Sequence, residues 1–414
     1  MSESQAAEPR YNVLMIAPTM FFADYGSHVR ILEEAVSLRA MGHRITILAY
    51  PNGRDVDGLR VMRCWGVPFN YRIIVGSSRH KFYLDAMLGL RSLAAMFQVK
   101  PDIIHAHVHE GALIGAALSR LWGVPMLFDF QGSMTSEMVD HHFVRPGSLV
   151  YKFFRWLEER VVHCADVIVT SSHNATRLLQ AEFGRANGDV HTISDCVQPN
   201  LFRPDLFDAE TRAARRAQYG IPADAQVVVY LGLLADYQGI PQLIEAAKIV
   251  LARRPETYFL IFGFPGVWYY QKLVREAGLA ERVFLPGAVP YEEAPFKLAL
   301  GDVAVAPKLS ATEGAGKILN YMAMGLPVVA FDAPVSREYL GEWGIYAEFG
   351  SVTALADGLL SALEHPDRSR LRAAKLRQRI LAQYTWKQGA RKITEIYNAC
   401  LGLRQKAKDE KSLA

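Results

Sequence analysis

Cysteine is scarce in this chain: Cys64, Cys164, Cys196 and Cys400 are the only four in 414 residues, none close to another and none in a CxxC pair. That argues against a disulfide scaffold, a multi-thiolate zinc site and a thioredoxin-like redox centre, and it reads as reduced thiols in a cytosolic setting. A dominant charge sign is also lacking. Forty-six Lys and Arg against 42 Asp and Glu leave +4, too little for nucleic acid to be the main partner. No stretch approaches the roughly eighteen uninterrupted apolar residues of a membrane span; the best, 111–128, is broken by Ser119, Arg120 and Pro125. The opening MSESQAAEPR is polar and acidic and does not read as a secretory signal. What the chain does have is a hydrophobic fraction of 50% and a charged fraction of 21%, which excludes disordered and collagen-like classes and suits a folded chain of two or three domains.

Short β-rich runs alternate with longer amphipathic stretches. The runs at 11–17, 44–49, 103–107, 126–130 and 167–170 predict strands, and apolar residues at helical spacing over 29–41 predict a helix. A second series starts with QVVVYLG at 226–232 and continues at 258–263, 283–285, 303–306 and 327–331, with a helix over 241–251. Such alternation implies an α/β fold with two doubly wound, Rossmann-like parallel-sheet domains. The expected divisions are 1–198 and 199–385, with a linker in the proline- and charge-bearing 199–225, and the C-terminal 368–403 reads as helical. Ligands of open parallel sheets bind beyond the carboxyl ends of the strands, so two such sheets facing each other would place the active site in a central cleft.

The segment richest in chemistry is APKLSATEGAGKILNYMAMGLPVVAF, 306–331. A strand ends, a loop with Gly314 and Gly316 follows, and a helix opens. Free backbone N–H groups and the helix dipole make such an opening a phosphate site. Lys308 and Lys317 stand at the two ends of the loop and could neutralise a diphosphate, while Asn320 lies one turn beyond Lys317 and could bond a ribose hydroxyl. Surface pairing of Glu313 with Lys317, four residues on, is the simpler alternative. At 13–30 a strand, a turn with Gly26 and a helix form a first βα unit. It lacks GxGxxG, so a dinucleotide is unsupported, and Asp24, Tyr25 and His28 surround the turn.

Three further segments carry two readings each. His105, His107 and His109 alternate, which on one strand would share a face and could hold zinc; three ligands from one strand give poor tetrahedral geometry, so separate structural partners are expected and no metal. In LFDFQGSM, Asp129 and Gln131 fall at a strand's carboxyl end, as site residues or as a turn cap. The aromatic and basic VYKFFRWLEER, 150–160, resembles an interfacial membrane helix, although Leu157, Val161 and Val162 continue a core stripe. The basic run 368–379, with no acid, reads as a solvated helix face or as a contact for anionic lipid or a polyanion.

Taken together these segments resemble the retaining glycosyltransferases of family 4, of the two-domain GT-B fold. The resemblance runs over nearly the whole chain, through PDIIHAHVHEG, CADVIVTSS, VVVYLGLLADYQGIPQLIEAA, ERVFLPGAVPYEE and TEGAGKILNYMAMGLPVVAFD. It implies a nucleoside diphosphate sugar held mainly by the C-terminal domain, an acceptor held mainly by the N-terminal one, no cofactor, and a last helix within 386–414 crossing back to the first domain. Three positions depart from the family pattern. Its phosphate-clamping Arg and Lys are replaced by Leu233 and Gln238, between Gly232 and Gly239; Glu313 matches the first of two glutamates but Asn320 fills the place of the second; and Gln131 stands where a histidine usually lies near the reacting sugar.

The expectation is therefore a metal-independent hexosyltransferase with retention. Glu313, Lys317 and Gln131 are the catalytic candidates; Gly26, Gly232, Gln238, Gly263, Lys308, Gly314, Gly316 and Asn320 bind the donor; Asp24, Tyr25, His28 and Asp129 lie on the acceptor side. The acceptor would be a glycan or a lipid-linked glycan, and the chain cytoplasmic with peripheral contact at the inner face of the membrane. The missing clamp also admits a non-catalytic GT-B partner subunit, and the fold admits a nucleotide-sugar epimerase.

Overall fold

The computed structural model describes residues 9–24, 26–66, 81–140, 143–186, 188–310 and 314–413. Tyr25 and Glu313 lie outside these residues. The chain divides into two compact units: Met1–Ala23, Ser27–Ser194 and Trp386–Ala414 form the first, and Asp24–Gly26 with Asp195–Thr385 the second.

In the first unit, β1 (Asn12–Ala17), β2 (Arg44–Ala49), β3 (Arg60–Arg63), β4 (Ile103–His107), β5 (Met126–Phe130), β6 (Val167–Thr170) and β7 (Val190–Thr192) form a sheet in the order β3-β2-β1-β4-β5-β6-β7 among the described residues. Every pairing is parallel, with Val13 opposite Ile45 on one side and Ile103 on the other. Parallel strands need helical crossovers, which cover both faces of the sheet; the central strands are accordingly continuous apolar runs rather than alternating ones. Val13 through Ala17 are fully buried.

The second unit repeats the plan. Its strands β8 (Val227–Leu231), β9 (Tyr258–Phe262), β10 (Val283–Gly287), β11 (Val303–Ala306), β12 (Val328–Phe331) and β13 (Ile345–Ala347) are all parallel, in the order β10-β9-β8-β11-β12-β13. The strand order reverses between β8 and β11, and at such a switch point the carboxyl ends of the strands are where open parallel sheets bind ligands.

Three strands are absent from the sequence reading: β3, β7 and β13. Each is short and each ends its sheet, where one side lacks a neighbour and the apolar run is interrupted. The 199–225 stretch, expected to be linker, contains the helix Ala209–Ala217, capped by Asp208 accepting from the Thr211 amide at 2.7 Å. The C-terminal stretch is two helices, Pro366–Gln383 and Trp386–Leu413.

The second of these helices packs in the first unit. Tyr397, fully buried, meets His105 Nδ1 at 2.7 Å; Thr394 meets His43 Nε2 at 2.9 Å; and the Tyr11 hydroxyl donates to Asn398 Oδ1 at 2.6 Å. The basic run on the preceding helix divides in two: Arg368, Arg370 and Lys375 are exposed, as on a solvated face, and the other three are bonded to the protein. Arg372 donates to the Gly344 carbonyl, Arg377 to that of Ala323, and Arg379 to those of Glu338 and Tyr339. Ala323 ends the helix Gly316–Ala323 and Tyr339 lies in the last turn of Pro334–Leu340. Helix ends present unsatisfied carbonyls and partial negative charge, so arginine is the natural partner.

Candidate functional site

The carboxyl ends of β8 and β11 bring together most of the residues expected to bind a donor. β8 ends at Leu231, and Gly232 donates its amide to Phe262 of β9 at 3.1 Å. Beyond it a short turn over Asp236–Gln238 ends at Gly239, whose φ of +76° is left-handed; a Cβ there would come within 1.8 Å of the Pro307 carbonyl oxygen. The loop after β8 therefore lies directly against the loop after β11, an approach only glycine allows. Gly263, at the end of β9, is equally tight against the Gly232 carbonyl, also at 1.8 Å from a notional Cβ.

Lys317 reaches into this junction from the helix Gly316–Ala323. Its Nζ donates to Gln238 Oε1 at 2.6 Å and to the Tyr230 hydroxyl at 2.7 Å, and it sits 4.4 Å from the centre of the Tyr230 ring. A Cβ on Gly232 would lie 2.8 Å from the same ammonium. Gln238 is the position at which the resemblance leads one to expect a lysine. The ammonium of Lys317 thus stands beside the amide that replaced it. These two acceptors are neutral, and they orient the ammonium towards the loop after β8. Burial holds the Tyr230 phenol well above its ordinary value, and neighbouring tyrosines add to this; it remains protonated, donating to the Leu233 carbonyl at 2.7 Å.

Lys308 turns inward as well. It is 9% exposed, and its Nζ donates to the Gly314 carbonyl at 2.7 Å, so it draws the glycine loop back towards β11. Gly316 opens the helix, and a Cβ there would lie 3.3 Å from Asp195 Oδ2: a carboxylate already stands on one side of this helix start. Asn320 is partly exposed on the same helix.

The first unit holds a second constellation, at the carboxyl ends of β4 and β5. Asp129 is fully buried. Arg30, from the helix Gly26–Ala40, approaches Asp129 Oδ1 with Nη2 at 3.0 Å and Oδ2 with Nε at 3.1 Å, and its Nε meets Glu34 Oε1 at 3.1 Å. His107 Nδ1 lies 3.0 Å from Asp129 Oδ2, and Gln131 Nε2 donates to the same oxygen at 2.7 Å. Burial alone would raise the Asp129 carboxyl; the Arg30 guanidinium, with His107 and His105, reverses this and holds it well below the usual carboxylate range. Burial also pushes the His105 imidazole well below its ordinary value, His107 adding to the effect and Asp129 opposing it.

Three of the residues expected on the acceptor side are placed as follows. Asp129 is fully buried, and its carboxylate is the anchor that orients Gln131. His28 is 4% exposed. Asp24 accepts the Tyr291 amide at 2.8 Å through Oδ1 and, with Gly26, groups with the second unit. The three alternating histidines do not share one face throughout. His105 and His107 stack at 4.4 Å, but the strand ends at His107, Val108 has φ +53°, and His109 lies in the first turn of the helix beside Phe128, Phe130 and Glu158, the last at 3.3 Å. Glu34, His105, His107 and Asp129 each offer a ligand atom within 4.8 Å of the others; the Arg30 guanidinium already supplies the positive charge between the two carboxylates.

Tyr230, Arg30 and Asp195 are the participants the sequence reading missed. Tyr230 sits inside VVVYLG and reads as core; Arg30 and Asp195 meet their partners only through the fold.

Residues 25–196 match the glycosyl transferase 4-like domain, and residues 211–380 match the glycosyl transferases group 1 domain. The chain is 26% identical over 399 residues to D-inositol 3-phosphate glycosyltransferase of Thermobispora bispora, covering 91% of this chain and 90% of that protein. It is 27% identical over 274 residues to alpha-D-kanosaminyltransferase of Streptomyces kanamyceticus, covering 64% and 68%. Among solved structures, sucrose-phosphate synthase from Thermosynechococcus elongatus superposes with a TM-score of 0.79 at 20% identity, covering 94% of this chain and 99% of that one. Anabaena HepE in complex with UDP-glucose superposes with a TM-score of 0.74 at 17% identity, covering 94% and 100%. Two successive domain matches and two doubly wound parallel sheets lead to one conclusion: the chain belongs to the GT-B glycosyltransferases of the family 4 type.

Proposed function

We propose that this glycosyltransferase moves a hexose from a nucleoside diphosphate sugar to a hydroxyl of a glycan or glycolipid, with retention at the anomeric carbon. The observation that carries the reading is the Lys317 ammonium, fixed 2.6 Å from Gln238 Oε1 at the switch point between β8 and β11. A cation is needed where the departing diphosphate gains charge, and its loss would raise the barrier by several kcal/mol unless it were replaced. Lys317 is that replacement. Lys308 shapes the loop whose free amides face the phosphates, and Asn320 bonds the ribose. Glu313, outside the described residues, orients the sugar hydroxyls. Departure and attack on one face of the sugar require no protein nucleophile and no metal, only positioning and charge stabilisation.

On the acceptor side Gln131 acts through its amide, whose nitrogen is tied to Asp129 and whose oxygen is its remaining polar end. The relatives' names place the sugar on inositol phosphate in one case and describe transfer of kanosamine in another. A panel of nucleoside diphosphate sugars offered with candidate acceptors tests the reading, the anomeric configuration of the product being read by NMR coupling constants. Retained configuration supports it. Inversion would refute it, binding of no nucleotide in calorimetry would favour the scaffold reading, and an altered free sugar nucleotide formed without acceptor would favour the epimerase.

A further inference from the structure

Three helices, Lys81–Val99, Val108–Trp122 and Leu149–Cys164, contribute to one apolar core in the first unit. They are neighbours: Phe97 meets Trp122 edge-on with ring centres 5.5 Å apart, and His109 meets Glu158. A surface helix ordinarily turns its apolar stripe inward and its polar stripe outward. The third helix does the first and not the second. Glu158, Val161 and Val162 are its buried residues, while on the opposite stripe Leu149, Phe153 and Trp156, at i, i+4 and i+7, are 84%, 56% and 50% exposed. The first helix does the same: behind buried Leu84, Leu88 and Met96, its outward stripe carries Phe82, Leu90 and Phe97 at 71%, 50% and 69% exposure. The expected core stripe of Leu157, Val161 and Val162 is present, and the aromatics form a second stripe that faces outward.

Scattered apolar residues on a surface need no explanation, but aligned stripes on adjacent helices mark a docking face. The charges beside it identify the occupant. Arg120, Lys152 and Arg160 are exposed, and the Arg160 guanidinium lies 5.6 Å from the centre of the Trp156 ring. Against them stands one exposed acid of these helices, Glu159; Asp85 and Glu110 are half-buried, Asp85 accepting the Tyr50 hydroxyl, and Glu158 is buried. Aromatic rings amid cations suit the headgroup boundary of an anionic bilayer, where rings enter the acyl edge and the ammonium and guanidinium groups meet lipid phosphates. A second copy of the chain would bring the same cations to the interface with few acids to receive them. Among the described residues no helix is long and apolar enough to cross a membrane, so the contact is one of lying on the surface. We propose that this three-helix face docks the first unit onto anionic lipid.

The test is sedimentation with vesicles of phosphatidylglycerol and phosphatidylcholine, against vesicles of phosphatidylcholine alone. The chain is expected to partition onto the anionic vesicles and to be released by salt. Phe97→Ser with Trp156→Ser should weaken partition at least about tenfold, and Lys152→Glu with Arg160→Glu at least about twenty-five-fold, about five-fold per cation lost. All four side chains lie on the surface, so melting temperature and turnover on a water-soluble acceptor should be unchanged in both variants. That separates this proposal from the proposed transfer activity. Absence of partition onto anionic vesicles would overturn it. So would equal partition onto neutral vesicles, unaltered by the charge reversals, or a dimer in light scattering that the aromatic variant converts to monomer, which would assign the face to a second copy.

Discussion

Lys317 donates its ammonium proton to Gln238 Oε1 across 2.6 Å, although 79 residues separate the two in sequence. A position at which the resemblance calls for a lysine thus holds an amide, and the amide holds a lysine from the helix after the neighbouring strand β11. The Tyr230 hydroxyl fixes the direction from which the ammonium comes. Gly232 leaves the space in which it sits.

Lys308 is expected to act on the loop rather than on the leaving group. Its bond to the Gly314 carbonyl is charge-assisted, and such bonds are worth about 1.5–3 kcal/mol. Lys308→Met should therefore raise the KM for the donor roughly tenfold or more, with a smaller change in kcat. Steady-state kinetics on the donor check this; a loss in kcat alone would place the ammonium on the reacting phosphates instead.

Gly239→Ala forces a side chain into a left-handed residue and against the Pro307 carbonyl. The conformation costs about 1–2 kcal/mol, and the collision adds to it, because the neighbouring atom is backbone. The second unit should lose at least about 2 kcal/mol in denaturant unfolding, and donor binding should fall with it as the loops after β8 and β11 separate.

Arg30 neutralises two buried carboxylates, Asp129 and Glu34. Removing one partner of a buried pair costs about 3–5 kcal/mol, so Arg30→Met should lower the melting temperature by roughly 10 °C for a unit of this size. Asp129→Asn offers a milder comparison. It keeps the shape but weakens the hold on Gln131, and turnover should fall further than stability does.

Acid should destabilise the first unit in two stages. His105 is depressed in the folded state, so below the ordinary imidazole range, near about 6.5, the unfolded chain binds a proton that the folded one does not. Stability then falls as the pH drops. Asp129 is depressed too, so its contribution is complete above the ordinary carboxylate range and is lost as pH falls from there towards its much lower folded value. Melting temperature measured against pH should decline gently from about pH 6.5 and steeply below about pH 4. His105→Asn should flatten the upper stage and leave the lower.

The central strands were legible because burial on both faces writes an unbroken apolar run: the runs at 44–49, 103–107, 126–130, 167–170 and 303–306 coincide with β2, β4, β5, β6 and β11. β3, β7 and β13 were not, since a strand at the sheet edge needs only part of such a run. In the candidate site, local geometry was legible and long-range pairing was not. The glycine loop and the helix beginning at Gly316 follow from local sequence. The meeting of Lys317 with Gln238, or of Arg30 with Asp129, 99 residues apart, depends on strand order, which no local pattern records. In Leu149–Cys164 both stripes were legible, but one helix carries two, and periodicity alone does not say which one faces the core.

The relocated cation is tested most directly by returning it. Lys317→Met should lower kcat/KM for the donor by about 10²–10³-fold, the range for losing one preorganised charge-stabilising group. Gln238→Lys placed in that background puts an ammonium back into the same junction from the opposite loop, and at least about tenfold of the loss should return. Lys317→Met with wild-type kcat/KM, or a double variant no more active than Lys317→Met, would contradict the account.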